Sequence, residues 1–205
     1  MIVIIDYGMG NLRSVHNKLK RLGCYSEISS DKSVIEKAEK LILPGVGHFA
    51  NGMKKLHEFN LLGILNKKVM EDQVPILGIC LGMQLMTSFS EEGNVNGLNW
   101  FEAQTQYFKI EEKDKFKYKV PHMGWNNVRL SGDSKLFKGI DEDAEFYFVH
   151  SYHVVKNKEG VTKGITNYAY DFISYVEKRN IFGAQFHPEK SQDAGMIMFS
   201  NFNKL

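Results

Sequence analysis

Only two cysteines, Cys24 and Cys80, occur among the 205 residues. A framework of several disulfides is thereby excluded, although a single bridge stays open at this stage. Long apolar runs are also missing. The most apolar stretch, Val74 to Met86, has 13 residues and already contains Gln84, whereas a bilayer-spanning helix needs about 20. Neither sign of charge dominates: 26 Lys and Arg against 24 Asp and Glu leave a formal +2. That balance offers no general attraction to nucleic acid or to an acidic membrane surface. The chain opens with Met-Ile-Val-Ile-Ile-Asp rather than a basic segment, an apolar stretch and a cleavage site, so no signal peptide is expected. Internal repeats, low-complexity tracts and linkers are absent. The seven histidines are scattered, with no ligand spacing such as His-x3-His, which argues against a metal site. These absences lead us to expect one cytoplasmic domain over residues 1–205, with reduced thiols. No metal, cofactor, nucleic-acid partner or membrane partner is expected.

What is present is an ordinary globular balance, 43% hydrophobic and 24% charged, in a chain long enough to bury a core. Ile2 to Ile5 is a continuous β-branched run, the pattern of a strand covered on both faces. A turn follows over Asp6 to Asn11. Leu12, Val15, Leu19 and Leu22 then recur at helical spacing, with Gly23 as the stop. The same order repeats: a strand over 25–28, a helix over 33–39, a strand over 41–43 ending at Pro44, a loop at 45–47, and a helix over 51–68 carrying Met53, Leu56, Leu61 and Leu65. Ile76 to Ile79 reads as another strand and Leu81 to Thr87 as a helix. Beyond Gly97 the texture becomes aromatic and partly alternating, with strands expected over 120–130, 145–155, 161–167, 172–177 and 181–186, and a helix over 195–205. This is an α/β chain that turns strand-rich in its second half.

The sharpest chemical signal is Gly78-Ile79-Cys80-Leu81-Gly82, between an apolar strand and a helix. Small residues two before and two after a nucleophile allow a tight strand-to-helix turn that holds its side chain proud of the sheet. The free N–H groups of the following helix favour thiolate over thiol, and the Leu81 N–H is placed to serve an oxyanion. The plain alternative is a buried structural cysteine. A thiolate nucleophile needs a base and a group to orient it. His187 follows an apolar strand in Gln185-Phe186-His187-Pro188-Glu189, and Glu189 can reach the far nitrogen of the ring. In Pro44-Gly45-Val46-Gly47 the glycines let a backbone N–H, that of Val46, turn toward a neighbouring strand end and complete an oxyanion hole. All three elements lie at the carboxyl ends of expected strands, where open parallel sheets place their ligand sites.

With these pieces in order, the chain resembles the class I glutamine amidotransferases. Within them it is similar to the glutaminase subunits of imidazole glycerol phosphate synthase. The matching segments are Asp-Tyr-Gly-Met-Gly-Asn (6–11), Leu-Pro-Gly-Val-Gly-His-Phe (43–49), Pro-Ile-Leu-Gly-Ile-Cys-Leu-Gly-Met-Gln (75–84), Pro-His-Met-Gly-Trp-Asn (121–126), Tyr-Phe-Val-His-Ser-Tyr (147–152) and Phe-His-Pro-Glu-Lys-Ser (186–191). They span nearly the whole chain in the family's order. The resemblance implies a mostly parallel central sheet flanked by helices, with antiparallel strands added in the second half. It implies that Cys80 attacks the side-chain amide of glutamine to form a thioester, that His187 acts as base and then acid, and that Glu189 orients the ring. Gly47, Gln84 and Glu92 would contact the substrate, together with backbone around His150, Ser151 and Tyr152. The ammonia would pass to a (β/α)8 cyclase in a heterodimer, with Asn11, Tyr147 and Lys190 at the interface. Rotation of the Gly45-Val46 peptide is one way to gate activity.

Two departures from the family pattern stand out. Gly97 is followed by Leu-Asn-Trp-Phe-Glu-Ala in place of a Gly-Leu-Ile-Pro-Gly-like stretch, and Tyr152 is followed by His153 in place of a second aromatic. Both are expected to alter the rim of the partner surface. Three rival functions stay open: a paralogue that supplies ammonia for amidating a surface sugar, a regulatory pseudoenzyme on the same fold, and a cysteine peptidase or related hydrolase. The Gln84 and Glu92 pair favours a free amino acid over the acyl chain a peptidase needs.

Overall fold

The computed structural model describes residues 1–155 and 162–205. In chain order its elements are β1 (Ile2–Ile5), α1 (Leu12–Arg21), β2 (Ser26–Ser29), α2 (Lys32–Glu36), β3 (Lys40–Gly45), α3 (Phe49–Glu58), α4 (Leu62–Asn66), β4 (Ile76–Cys80), α5 (Leu81–Leu85), β5 (Phe89–Ser90), β6 (Val95–Asn96) and β7 (Gln104–Tyr107). The second half adds β8 (His122–Asn127), β9 (Arg129–Leu130), β10 (Glu145–His150), β11 (Tyr152–Val155), β12 (Thr162–Tyr168), β13 (Tyr170–Lys178), β14 (Ile181–Ala184) and α6 (Gln192–Asn203).

The main sheet runs β2-β1-β3-β4-β14-β13-β11-β7-β5-β6, with β12 and β9 branching from β13. Strands β2, β1, β3, β4 and β14 are mutually parallel, whereas β13, β11 and β7 each pair antiparallel with their predecessor. Strands β8 and β10 form a separate antiparallel ribbon. The expected α/β architecture, parallel first and antiparallel later, is therefore what the chain adopts. Alternation along β1 explains the two cores. Val3 and Ile5 pack with Leu41, Phe49, Leu56 and Leu65, while Ile2 and Ile4 pack with Val15, Leu19, Phe199 and Phe202. Helices thus cover both faces, and the strands read as unbroken apolar runs for that reason.

Several boundaries differ from the sequence reading. The helix over 51–68 is broken at Asn60, whose φ of 53° is left-handed, and its second part continues from α4 into a wider π turn over Lys67–Glu71. Strand β3 runs on through Pro44 and Gly45 because these pair with Ile79 and Cys80 of β4. Pro44 is tolerated there since β1 has its last partner at Ile42, so the missing N–H breaks no ladder bond. The run 145–155 is two strands in different sheets, divided at Ser151. The run 120–130 likewise divides into β8 and β9, and β14 stops at Ala184. Helix α5 stops at Leu85. The expected strand start at Val161 lies outside the described residues. The large side chains of the two departures point inward, Trp100, Phe101 and His153 each being 2% exposed, whereas Asn99 and Glu102 of the first stay at the surface. The Trp100 indole donates to Asn66 Oδ1 at 2.7 Å, tying this segment to α4. Both cysteines are free, which closes the question of a bridge.

Candidate active site

The turn between β4 and α5 carries Cys80 in a sparsely populated backbone conformation, φ 54° and ψ −111°. Such a conformation costs about 1–3 kcal/mol and persists only where the surroundings enforce it. The surroundings here are two close approaches. A Cβ on Gly82 would be built into the Leu43 carbonyl, and one on Gly78 would lie 2.7 Å from the Met83 nitrogen. The flanking glycines are thus a packing requirement of the turn. Because α5 is only five residues long, its electrostatic effect on the sulfur comes from the first-turn N–H groups rather than from a long dipole.

Strand β14 lies directly beside β4, with Ala184 opposite Ile79. Its continuation carries His187 to the sulfur. The ring is 1% exposed, and its Nδ1 donates to Glu189 Oε1 at 2.8 Å. That bond fixes the tautomer and leaves Nε2 without a hydrogen-bond partner of ordinary geometry. Burial disfavours a charged imidazole, but the Cys80 side chain and the Glu189 carboxylate outweigh it, and His187 is pushed up to about 10. The site therefore favours the protonated form of the His187 imidazole. Glu189 is 4% exposed and held by the tight turn over Pro188–Lys190.

A cleft of about 330 Å³ opens over the sulfur. Cys80, Leu81 and His187 line it together with Val46, Gly47 and Glu92. Gln84, His150, Ser151 and Tyr152 line it as well, with Pro121 and Val149 completing the lining. Gly45 is in register with Cys80, so the Val46 N–H and the Leu81 N–H leave neighbouring strand ends. Gly47 has a φ of 106°, a conformation that favours glycine. Glu92 has a structural duty as well, since its Oε2 accepts from the Phe49 N–H at 2.7 Å and caps α3.

Gln84 is 4% exposed rather than a solvated helix residue. Its Nε2 donates to the Tyr152 carbonyl and to Gln185 Oε1, both at 2.9 Å. The same carbonyl is 2.8 Å from His150 Nδ1, which must therefore carry the proton. His150 Nε2 then accepts from His122 Nδ1 at 3.1 Å. Burial holds His150 well below the usual histidine range and His122 down to about 4, so this relay is neutral. Since both His150 nitrogens are occupied, the segment offers the cleft backbone groups rather than a free imidazole. Gln185, which the sequence reading passed over, is fully buried and reaches Cys80 Sγ from its Nε2 at 3.7 Å. Its position two residues before His187 was the only available signal.

Asn11, Tyr147 and Lys190 lie outside the cleft. Lys190 Nζ sits 5.3 Å above the Tyr147 ring, and Trp125, 44% exposed, lies edge-on to that ring at 5.9 Å. Asn11 starts α1, which packs against the Pro188–Lys190 turn. Tyr147 and Lys190 share one surface beside the cleft, because the Tyr147 carbonyl accepts from the His187 N–H at 2.9 Å. Among the described residues, no helix is long and apolar enough to cross a membrane.

Comparison with known proteins gives the family. The family model for Glutamine amidotransferase class-I matches residues 3–205. Imidazole glycerol phosphate synthase subunit HisH 2 of Methanococcus maripaludis is 49% identical over 100% of this chain and 99% of its own length. HisH 2 of Pseudomonas aeruginosa is 45% identical with both chains fully covered, and HisH of Moorella thermoacetica is 45% identical over 100% of this chain and 94% of its own. Among solved structures, a glutamine amidotransferase superposes with a TM-score of 0.74 at 18% identity, all of both chains being covered. PurLQS from Thermotoga maritima superposes at 0.69 and 18%, with 98% of this chain and 96% of that chain covered. By its family match and its full-length relatives, the chain belongs to the class I glutamine amidotransferase family, among the HisH subunits.

Proposed function

We propose that the protein is the glutaminase subunit of an imidazole glycerol phosphate synthase. Cys80 in its strained turn beside the buried His187–Glu189 pair is the observation that carries this reading. The Cys80 thiolate attacks the side-chain carbonyl carbon of glutamine, and the Leu81 and Val46 N–H groups take the charge on the oxygen. The imidazolium of His187 gives its proton to the leaving nitrogen, so ammonia departs and a glutamyl thioester remains. His187, now neutral, takes a proton from water as that water attacks the thioester. Glutamate leaves, and the thiolate–imidazolium pair is restored. Glu189 keeps Nε2 toward the sulfur throughout. Gly47, Gln84 and Glu92, with the backbone of His150, Ser151 and Tyr152, hold the amino-acid end of the substrate.

The ammonia passes to a (β/α)8 cyclase subunit in a cytoplasmic heterodimer of the histidine pathway. Support for a docked partner comes from the exposed outer face of the β8–β10 ribbon, where Trp125, Tyr147 and Lys190 cluster beside the cleft. A second reading keeps the chemistry and changes the acceptor, as in amidation of a surface sugar. Its support is that the Methanococcus and Pseudomonas relatives both carry the number 2, while HisH 1 of the same Methanococcus is 45% identical. An intact Cys80, His187 and Glu189 set argues against an inactive regulatory role.

Glutamate release by the purified chain, alone and with each candidate cyclase plus its ribotide ligand, tests the proposal against a Cys80→Ala control. Stimulation by the histidine-pathway cyclase, lost in the control, is expected. Stimulation only by a different cyclase-like partner would move the protein to the second reading. Release that is independent of Cys80, or no release with any partner, would refute the glutaminase assignment.

A further inference from the structure

We propose that Gln185 is a positioning residue whose carboxamide donates a hydrogen bond to the Cys80 sulfur and holds it in the reactive, anionic form. The inference rests on Cys80 being the nucleophile and assigns part of its activation to a residue outside the Cys-His-Glu set.

The direction of the bond follows from a chain of partners with a fixed end. The Tyr152 carbonyl can only accept, so the Gln84 group 2.9 Å from it is the NH2. That same NH2 faces the Gln185 side chain at 2.9 Å, which requires the Gln185 oxygen there. The Gln185 NH2 is left facing Cys80 Sγ at 3.7 Å. Rotating either amide would set oxygen against oxygen or leave a buried donor unpaired. Both glutamines are buried, at 4% and 0% exposed, so water does not compete for these bonds. The sulfur has a second neighbour, the Val149 carbonyl at 3.9 Å, which can accept from a thiol but gives nothing to a thiolate. Gln185 donates, and a donor favours the charged form. Register explains the reach: Ala184 is opposite Ile79 in the parallel β14–β4 pair, so Gln185 follows where Cys80 follows.

The chain of amides also joins substrate binding to the nucleophile. Gln84 lines the cleft, and its amide is bonded to Gln185, which reaches the sulfur.

The test is the rate of Cys80 alkylation by iodoacetamide as a function of pH, read by mass spectrometry of the Cys80 peptide in the native chain, Gln185→Leu and Gln185→Glu. Native Cys80 is expected to react at neutral pH much faster than Cys24. In Gln185→Leu the rate at pH 7 should fall by a factor of roughly two to ten, and the rate profile should move to higher pH. Glutamate release with the partner should fall with it at neutral pH and recover as the pH is raised, which a merely structural defect does not do. Should the leucine variant fail to fold, Gln185→Glu keeps the shape but turns an anion toward the sulfur, and a larger fall is expected. A folded variant whose profile superimposes on the native one would overturn the role of Gln185 and leave Cys80 as nucleophile. Native Cys80 no more reactive than Cys24 would overturn both.

Discussion

Replacing Gly82 by alanine tests whether the nucleophile turn is held by packing. The added Cβ would lie 2.8 Å from the Leu43 carbonyl carbon and still closer to its oxygen. Neither side can give way cheaply. Leu43 is a central-strand residue paired with Gly78, and Gly82 is in the first turn of α5, fixed by Cys80. Helix and strand must move apart, an overpacking that costs about 1–3 kcal/mol. A backbone-to-backbone clash belongs at the upper end of that range. For a chain of this size about 3 kcal/mol lowers Tm by roughly 6–12 °C. The same movement carries the Leu81 N–H away from the cleft, and loss of one oxyanion donor costs about 10²–10³ in kcat. Gly63→Ala is the matched control. It lies inside α4 with nothing within 4 Å of an added Cβ, so alanine should stabilise by about 0.5–1 kcal/mol. The assays are a thermal melt and glutamate release with a partner subunit. A Gly82→Ala variant that melts within 2 °C (roughly 0.5–1 kcal/mol) of native and turns over normally would refute the packing account.

Val46→Pro removes the N–H proposed to complete the oxyanion hole, and turnover with partner and ligand should fall about 10²–10³-fold; wild-type turnover would sink that role. His187 is pushed up to about 10, mainly against burial, by Cys80 and Glu189. The unfolded chain loses this proton near the ordinary histidine value while the folded one keeps it. The contribution is thus full below about pH 6.5 and lost as pH rises through about 10. Denaturant midpoints should decline across that window and decline less in Glu189→Gln; parallel profiles would contradict the pairing. His153 has the opposite sign: burial lowers it to about 4, so its contribution is present above the unfolded value and lost as pH falls toward 4. Its ring stacks on Phe108 at 4.4 Å with Nδ1 unpartnered. His153→Phe should therefore raise Tm by roughly 2–4 °C at neutral pH and weaken the acid dependence, and a lower Tm would show that the imidazole is needed.

The parallel half of the fold was legible because buried parallel strands carry a strong signal, as Ile2 to Ile5 and Ile76 to Ile79 show. The nucleophile turn was legible for a local reason: both glycines that it requires lie within two residues of Cys80. Long-range facts were not. The break at Asn60 carried a local signal that the apolar spacing of Met53, Leu56, Leu61 and Leu65 overrode: asparagine tolerates the left-handed conformation that ends a helix, and the Leu61 N–H bonds back to the Leu56 carbonyl there. Ser151 changes sheets, and continuous apolar patterning across it concealed the change. Trp100 and His153 stand out in the sequence as departures expected to alter the rim of the partner surface, and their inward packing was hidden because their partners, Asn66 and Phe108, are far away in sequence. Gln185 was invisible for the same reason, since its meaning depends on Gln84 and Tyr152.

The distance between Cys80 and His187 is set by strand register rather than by either motif. Ile76 pairs with Ile181, Leu77 with Phe182, Gly78 with Gly183 and Ile79 with Ala184. Both residues then lie just past the ends of adjacent strands. A one-residue slip would turn every side chain of β14 to the opposite face. Phe182 would leave its place beside Phe199 and Phe202, Gly183 would no longer clear Met83, and His187 would turn from the sulfur. Core packing thus enforces the register, and the register places the base. The antiparallel half contributes through the same device. Strand β13 pairs Val176 with Gly183 on the far side of β14, while the Tyr147 carbonyl holds the His187 N–H from the β10 ribbon. The base is thereby clamped between the sheet that carries the nucleophile and the ribbon that carries the exposed Trp125 and the half-buried Tyr147, so a load on that ribbon has one hydrogen bond to cross before it reaches His187.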